Sequence, residues 1–395
     1  MNAFERLLAL PPEEKQVKGV EFIPGEIAQQ PDTWAKAVDL LRADREEIKD
    51  FMTRSGLTGE AESTLILTGA GTSEFVGNSI VNVLRKRLRR EVISVPTTHL
   101  VTHASSILVP GNDYTVLSFA RSGNSPESIA TYERIKQIAP HTEQMVITCN
   151  KNGALARAAD LDGSAHCILL PEETNDRALA MTSSFSTMSL CGIGLSFMDD
   201  LDGFASLSVR LGEAANRVIS SYGDLISDYA DRPFTRACFL GSNSLFGAMQ
   251  ECHLKMQEMT EGKVACRFDS FLGLRHGPQV FVDDACVVPA SLATDPLVRK
   301  YELDMLRELK SKGQGCGTLV ICDRASREIQ DVATDVVELF PNSEPVDDDF
   351  RVMTDVVVGQ ILATLKSLNL GLKPDTPSES GTINRVVRGV VIYDT

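Results

Sequence analysis

Three short runs of glycine, serine and threonine have the residue types of an anion site. Residues 69–73 read GAGTS, residues 121–125 read RSGNS and residues 180–184 read AMTSS. Each run precedes a helix-like segment, where main-chain N–H groups and the positive end of the helix dipole favour negative charge. Serine and threonine are also common N-cap residues, so any one run is equally well explained as a helix cap. Several such runs at corresponding strand ends favour an anion site.

The candidate anion-binding residues are the small and polar members of these runs. They are Gly71, Thr72, Ser73, Arg121, Ser122, Asn124, Ser125, Thr182, Ser183 and Ser184. A dinucleotide site is an alternative for the first run, because Gly69 and Gly71 match the start of a GxGxxG fingerprint. Glu74 stands at the third small position and no acidic residue ends the next strand-like run, EVISVPTT, so this alternative is disfavoured. The sequence also lacks the GxxxxGK motif that binds nucleoside triphosphates.

A second set of chemically useful residues lies in the helix-like segment 244–263. Glu251, Lys255 and Glu258 follow one another at intervals of four and three residues. At about 100° per residue, the three side chains fall on one helix face. A carboxylate held beside a lysine can transfer protons. The alternative is a solvent-exposed row of ion pairs, which contributes only tenths of a kcal/mol.

One histidine stands in a turn that favours a functional role. His276 belongs to the sequence RHGP, eighteen residues after Glu258, where a glycine and a proline follow it. In such a turn the imidazole could meet a sugar hydroxyl. Four other histidines are interpreted as structural: His99, His103, His141 and His253.

The composition excludes several classes of partner. The 395 residues carry 39 basic and 54 acidic side chains, so the formal net charge is −15. This charge repels nucleic acid and anionic membrane surfaces, and no apolar run approaches the roughly 20 residues of a membrane-spanning helix. The nine cysteines are scattered, and the first residues lack the features of a signal peptide. We therefore expect a cytoplasmic protein with reduced thiols and without a metal or organic cofactor.

Short β-branched runs alternate with helix-like segments along the chain; STLILTGA, YTVLSFA and QMVITCN are examples. This alternation predicts an α/β fold in which helices cover both faces of a mainly parallel sheet. RACFLGSNSLFGAM in the second half resembles LILTGAGTSEFVGN in the first, which predicts two similar doubly wound, flavodoxin-like units. The sequence therefore predicts four segments: a helical arm over 1–44, a first domain over 45–205, a second domain over 210–370, and a tail over 371–395. The tail is expected to have a strand-like end and to close near the site.

These motifs together resemble the sugar isomerase (SIS) family of tandem phosphosugar-binding domains. The resemblance rests on TGAGTSEF, SFARSGNSPES and FLGLRHGP, and it extends over nearly the whole chain. Within the family, AMTSSFSTM and the tail PDTPSESGTINRVVRGVVI are similar to the galactosamine-6-phosphate deaminase/isomerase branch. The resemblance implies two tandem SIS domains and a small aminosugar phosphate as substrate.

The resemblance also implies roles for individual residues. Those at Ser73, Ser122 and Ser125 bind phosphate in the family, and the glutamate at Glu258 moves a proton between C1 and C2 of the sugar. The histidine at His276 helps to open the sugar ring and comes from a neighbouring subunit, so a homodimer or larger homo-oligomer with its site near the interface is expected. Supporting roles are implied for Glu251, Lys255, Arg275 and Arg388.

Two positions depart from the pattern of other family members. Ala120-Arg121 replaces a serine–glutamine pair, and Arg388 stands where some members have a lysine. Arginine cannot act as a base, so lysine chemistry is not carried over. The implied reaction converts D-galactosamine 6-phosphate to D-tagatose 6-phosphate and ammonia. An aldose–ketose isomerase without deamination and a sugar-phosphate-binding sensor stay open as alternatives, with a dehydrogenase third.

Overall fold

The computed structural model describes residues 1–387 and 389–393. Its strands within these ranges are β1 (Thr64–Thr68), β2 (Val92–Ser94), β3 (Tyr114–Ala120), β4 (Glu143–Thr148), β5 (His166–Leu169), β6 (Arg236–Leu240), β7 (Ala265–Asp269), β8 (Cys286–Ser291), β9 (Gly317–Cys322) and β10 (Asp335–Glu338).

The α-helices of the same ranges surround these strands. They are α1 (Ala3–Leu8), α2 (Pro12–Lys18), α3 (Ile23–Ala28), α4 (Gln30–Ala43), α5 (Arg45–Arg54), α6 (Thr72–Leu88), α7 (Thr97–Ile107), α8 (Pro126–Ile138), α9 (Ala154–Asp160), α10 (Ser183–Gly194), α11 (Leu201–Ser221), α12 (Gly223–Ala230), α13 (Ser244–Met259), α14 (Phe271–Leu274), α15 (Pro296–Ser311), α16 (Arg327–Gln330) and α17 (Asp348–Asn369). Among the described residues, no helix combines the length and the apolar character needed to cross a membrane.

The strands form two parallel sheets with the same topology. The first has the order β2-β1-β3-β4-β5, and the second, read in the same sense, has the order β7-β6-β8-β9-β10. Every strand pair is parallel, and each sheet therefore has the doubly wound 2-1-3-4-5 arrangement. The predicted fold class, two tandem α/β units, is confirmed.

Helices cover both faces of the first sheet. Its central strand β3 is buried at all seven positions, as expected for a strand that is covered on both sides. Ile66 packs in a cluster with Leu100 of α7 and Ile135 of α8. The next residue, Leu67, points to the opposite face, where its side chain approaches Gly77 of α6 closely.

The register of each sheet places the loops that follow its first and third strands side by side. In the first sheet Thr68 at the end of β1 pairs with Ser118 of β3. In the second sheet Leu240 at the end of β6 pairs with Ala290 of β8. Because the carboxyl ends of parallel strands meet at one edge, this edge is where ligands bind in open α/β sheets.

The chain divides into two compact units, each built around one sheet. The first unit comprises residues 32–176 and 183–208 and the described part of 383–395, and the second comprises residues 1–31, 177–182 and 209–382. Residues 1–44, predicted as a helical arm, contain α1–α4 and are divided between the units. Buried Trp34, for example, donates a hydrogen bond from Nε1 to Ser186 Oγ of the first unit at 2.9 Å.

The end of the chain differs from the sequence-based expectation. Within its described part, residues 383–387 and 389–393 contain no strand. Val391 is 63% exposed and Tyr393 is 76% exposed, so the apolar residues of the tail do not supply one side of a buried sheet. The prediction of a strand-like end is therefore wrong for these residues.

Candidate active site

The turn after β1 brings backbone groups and a serine to the carboxyl edge of the first sheet. Gly71 has φ = 58°, a conformation that glycine adopts without strain. A Cβ at Gly69 would overlap the main-chain carbonyl of Ser73, so only glycine lets the chain turn this tightly into α6. Thr72 and Ser73 open the helix and are buried. The Ser73 hydroxyl has no hydrogen-bond partner within residues 1–387 and 389–393, so its hydrogen-bonding capacity remains available to a ligand.

The turn after β3 lies beside it and is held by its own side chains. Ser122 Oγ accepts a hydrogen bond from the N–H of Asn124 at 3.3 Å, and Asn124 Oδ1 accepts one from the N–H of Ala154 at 2.9 Å. Ser125 is the N-cap of α8, since its hydroxyl oxygen accepts the N–H of Ser128 at 3.3 Å. The helix-cap interpretation is thus correct for Ser125. The serines flank the positive end of a 13-residue helix and keep lone pairs and a donor for an anion.

Arg121, at the start of this turn, is buried and contacts the end of the chain. It is 7% exposed, and its guanidinium donates a hydrogen bond to the main-chain oxygen of Arg385 at 2.7 Å. Arg385 in turn donates from Nε to Asp176 O at 2.8 Å and from a terminal nitrogen to Asn175 Oδ1 at 2.7 Å. Arg121 and Arg385 thus link the end of the chain to the first unit, and the anion-binding role of Arg121 stays a sequence-based prediction.

Arg385 is a residue that the sequence reasoning missed. The tail motif pointed to Arg388 instead, which lies outside the described residues. The only signal in the sequence was a second basic residue three positions earlier in the same tail. The contact partners of Arg385 are more than 200 residues away in sequence, and no local pattern predicts such a pair.

The third run, AMTSS, is buried and its serines already have partners. Ser183 and Ser184 are both 0% exposed. Both hydroxyls donate to the carboxylate of Asp176, and the N–H of Ser184 donates to the same carboxylate at 2.9 Å. Asp176 therefore occupies the N-terminus of α10, where negative charge is stabilised. Thr182 is also buried, and the phosphate-binding role of this run stays a sequence-based prediction.

Glu251, Lys255 and Glu258 form a charged cluster on α13 in the second unit. Lys255 Nζ lies 3.3 Å from Glu251 Oε1 and 2.5 Å from Glu258 Oε2. The side chains of Glu251 and Lys255 are 0% and 1% exposed, whereas that of Glu258 is 23% exposed. The alternative of a solvent-exposed row of ion pairs is wrong, because α13 packs along α17 and buries two of the three charges.

This geometry suits proton transfer by the outermost carboxylate. Two carboxylates share one ammonium group, so the cluster carries a net charge of −1 when all three groups are ionised. Burial of such charges is costly unless they are paired, and the pairing fixes the orientation of Glu258 through a short, charge-assisted hydrogen bond. Glu258 retains an accessible edge on which it can accept and return a proton.

His276 lies in an exposed turn of the second unit. Its N–H donates to Gly273 O at 2.9 Å, and Gly277 has φ = 115°, so the turn depends on glycine. Arg275 anchors the turn to α15 through an ion pair with Glu308 at 2.7 Å. Within the described ranges, the His276 side chain makes no hydrogen bond or ion pair, including to Glu258.

His253 packs against an aromatic ring, which is compatible with the structural role interpreted from the sequence. Its ring lies 4.6 Å from the ring of Phe268, and its Nδ1 contacts Gln250 O. Burial lowers the pKa of His253. In the part of the chain that the structure describes, no group of three or more His, Cys, Asp or Glu side chains is arranged to hold a metal ion.

Comparisons with known proteins identify the family of this chain. The SIS domain family model matches residues 60–192, a range that includes all three hydroxyl-rich runs. The D-galactosamine-6-phosphate deaminase AgaS of Escherichia coli is 36% identical over 371 residues, which are 93% of this chain and 94% of that protein. The D-galactosamine-6-phosphate deaminase AgaS of Shewanella sp. strain ANA-3 is 33% identical over 393 residues, 98% of this chain and 95% of that protein.

A solved structure has the same fold throughout. The tagatose-6-phosphate ketose/aldose isomerase from Escherichia coli superimposes with a TM-score of 0.85 and 32% identity, covering 94% of this chain and 96% of that one. Both units therefore have counterparts in one known protein.

Proposed function

This chain belongs to the SIS domain family, in the group of the D-galactosamine-6-phosphate deaminases AgaS, and we propose that it converts D-galactosamine 6-phosphate and water to D-tagatose 6-phosphate and ammonia. The observation that carries the proposal is the 36% identity to AgaS over 93% of the chain. The buried charged cluster that presents Glu258 supplies a group for the chemistry.

The phosphate group of the substrate would bind at the two neighbouring turns of the first unit. Ser73, Ser122 and Ser125 offer hydroxyl groups there, beside the starts of α6 and α8. Phosphate is favoured at helix N-termini because main-chain N–H groups and the helix dipole both stabilise negative charge. Ser183 and Ser184 are not part of this proposal, because their hydroxyls are bonded to Asp176.

The proposed reaction moves one proton and then hydrolyses an imine. Once the sugar ring has opened, the C1 aldehyde acidifies the C2–H bond, and the Glu258 carboxylate accepts that proton. O1 gains a proton as the enolamine forms; the enolamine then takes the first proton back at C1 while its amino group loses an N–H proton, which leaves a C2 imine. Water adds to C2, the C2–N bond breaks and ammonia leaves. The products are the ketose phosphate and ammonia, and no redox partner is needed.

Two further groups have proposed roles in these steps. Lys255 orients Glu258 by its 2.5 Å contact. His276 assists ring opening from a neighbouring subunit, and its exposed side chain in a glycine-dependent turn is compatible with that role. The proposal therefore includes a homodimer or larger homo-oligomer. We also propose that the enzyme works in the cytoplasm, as a hydrolase with isomerase chemistry.

A second candidate function is isomerisation of neutral sugar phosphates without release of ammonia. The name of the Escherichia coli structure, tagatose-6-phosphate ketose/aldose isomerase, favours it. Ammonia release should be measured with galactosamine 6-phosphate and its C4 epimer glucosamine 6-phosphate, alongside isomerisation of tagatose 6-phosphate. Ammonia from the galacto substrate supports deamination, whereas turnover of tagatose 6-phosphate alone supports the isomerase.

The role of Glu258 can be tested separately from binding. Glu258→Gln should lower the rate of ammonia release by about 10²–10⁴-fold, the usual contribution of general acid–base catalysis. Binding of sorbitol 6-phosphate, which has no carbonyl group and cannot react, should stay within about threefold of the original chain, because the phosphate turns are unchanged. The exposed Glu328→Gln serves as the matched control. Equal losses of turnover and binding would contradict a proton-transfer role. Solvent-deuterium exchange at C2 would exclude a sensor that binds without reacting.

A further inference from the structure

A cavity of about 340 Å³ lies at the amino edge of the first sheet. Residues 108–114 and 138–142 line it; the first segment leads from α7 into β3, and the second leads from α8 into β4. The parallel register pairs Thr115 with Glu143, so the two segments enter the sheet side by side. A volume of this size lies within the range that is usual for small-molecule sites.

The cavity is separate from the turns at the carboxyl edge of the same sheet. Strand β3 begins at the cavity with Tyr114 and ends seven residues later, just before the turn 121–125, a length of about 23 Å at 3.3 Å per residue. The 13-residue α8 leads back from that turn to the cavity, over about 20 Å. A ligand in the cavity therefore does not occupy the proposed phosphate site.

Two buried hydroxyl groups in the lining have hydrogen-bonding capacity that the protein does not use. Tyr114 and Thr142 are 6% and 5% exposed. Tyr114 Oη accepts the N–H of Val109 at 2.8 Å, and within residues 1–387 and 389–393 neither hydroxyl donates a hydrogen bond. Because buried polar groups normally have partners, two unused O–H donors in one lining indicate a place for a ligand oxygen.

Apolar side chains form another part of the lining. Val109 is 54% exposed and Ile138 is 41% exposed, and Pro110 and Pro140 lie next to them in the two segments. A ligand whose C–H groups covered these side chains would remove apolar surface from water. An apolar wall with a few polar groups is the usual lining of a small-molecule site.

The charges around the cavity disfavour an anion and favour an amine. Neither lining segment contains a lysine or an arginine. The carboxylate of Asp113 is exposed and, within the described ranges, makes no hydrogen bond or ion pair. Both segments directly follow the carboxyl end of a helix, since α7 ends at Ile107 and α8 at Ile138. The negative ends of helix dipoles stabilise cations.

We propose that this cavity is a second ligand site, which binds a small hydroxylated amine without a phosphate group, such as an unphosphorylated amino sugar. The ammonium group pairs with Asp113, the hydroxyl oxygens accept from Tyr114 and Thr142, and the C–H groups cover Val109 and Ile138. The proposal does not depend on the proposed function, because it uses neither Glu258 nor the phosphate turns.

The first test measures binding of D-galactosamine to the full chain by titration calorimetry, with excess sorbitol 6-phosphate present to occupy the phosphate turns. One equivalent should bind, and D-galactose, which lacks the ammonium group, should bind at least about tenfold more weakly. Asp113→Asn should weaken galactosamine binding by roughly tenfold or more, because a charge-assisted hydrogen bond is lost. The matched control, the exposed Asp160→Asn of the same unit, should stay within about twofold of the original chain.

Three results of this titration would overturn the proposal. The first is the absence of galactosamine binding to the folded original chain, or its loss when sorbitol 6-phosphate is added. The second is an equal affinity for galactose and galactosamine. The third is an Asp113→Asn variant that binds galactosamine as tightly as the Asp160→Asn control.

A second measurement needs no variant and guards against misfolding. Crystals of the original chain soaked in D-galactosamine should show ligand density between residues 108–114 and 138–142. An empty cavity, or density only at the turns 69–73 and 121–125, would overturn the proposal. Ammonia release enters neither readout, so failure of the deaminase assignment would be seen separately.

Discussion

Replacing Lys255 with methionine should destabilise the second unit by about 3–5 kcal/mol, the usual cost of breaking a buried ion pair from one side. Lys255 and Glu251 are 1% and 0% exposed and 3.3 Å apart, so solvent does not screen the charge that is left behind. The contact with Glu258 adds less to this cost, because that side chain is 23% exposed and water can replace its partner.

The matched variant is Lys255→Met combined with Glu251→Gln. It removes both buried charges, so most of the lost stability should return, and the double-mutant cycle should give a coupling of about 2 kcal/mol or more between the positions. Ammonia release should stay low in both variants, because Glu258 has lost the ammonium that orients it. The double variant would then regain most of its stability while its ammonia release stayed as low as that of the single variant.

Urea unfolding followed by circular dichroism gives the free energies, and hydrogen exchange of the α13 amides localises the effect. A single variant within about 1 kcal/mol of the original chain would refute the reasoning, since a buried carboxylate would have lost its counter-ion at almost no cost. A double variant no more stable than the single one would show that packing, not charge, sets the cost.

Two further predictions concern pH and the chain end. Burial raises the pKa of Glu302 from 4.5 to about 7. The contribution of Glu302 to the free energy of unfolding is therefore full below pH 4.5 and is lost as the pH rises through 7, a loss of about 3 kcal/mol. Glu302→Gln should abolish this loss when urea unfolding is compared at pH 5 and pH 8. Arg385→Ala should speed hydrogen exchange in the tail and at the start of α10 by roughly 10–100-fold, because its hydrogen bonds to Asn175 and Asp176 are lost.

Each of these predictions has a control in the chain. For Glu302 the control is the exposed Glu328→Gln, which should leave the pH dependence of the unfolding free energy unchanged. If this free energy changed equally with pH in both variants, the result would count against a raised pKa of Glu302. For Arg385 it is Arg90→Ala, which also removes hydrogen bonds to main-chain oxygens in the first unit. If the two arginine variants gave the same exchange pattern, the specific role of Arg385 in holding the tail would be disproved.

The fold could be predicted largely because its signals are local. Apolar runs such as YTVLSFA became fully buried strands, and the likeness of GAGTS to GSNS reflects a shared backbone path, since both turns need glycine before the helix. The same local reasoning identified the spacing of Glu251, Lys255 and Glu258 on one face. It did not reveal whether that face was buried, because burial depends on α17, about a hundred residues later.

The contacts that sequence reasoning missed are long-range pairings of polar groups. Arg121 has the residue type of an anion ligand, but its guanidinium bonds to the main chain of Arg385. Ser183 and Ser184 have the types of a phosphate site, but Asp176 takes their hydroxyls. Residue type determines which hydrogen bonds a side chain can make, but only the fold determines which of the possible partners lies close enough to form one.

The repeated turns GAGTS and GSNS show most clearly that residue type alone does not determine which group binds the donors of a turn. The turns GAGTS and GSNS have the same backbone requirement, because a Cβ at Gly69 or at Gly241 would overlap a main-chain carbonyl. Residues outside such turns decide whether the donors are taken: Asp176 accepts from Ser184 at the start of α10, and Asp349 accepts from Ser244 at the start of α13. A carboxylate satisfies the same donors as a phosphate oxygen while adding a charge that repels one. Whether a glycine- and serine-rich turn is open to an anion therefore depends on whether folding brings a carboxylate to its donors, and the residue types of the turn do not decide it.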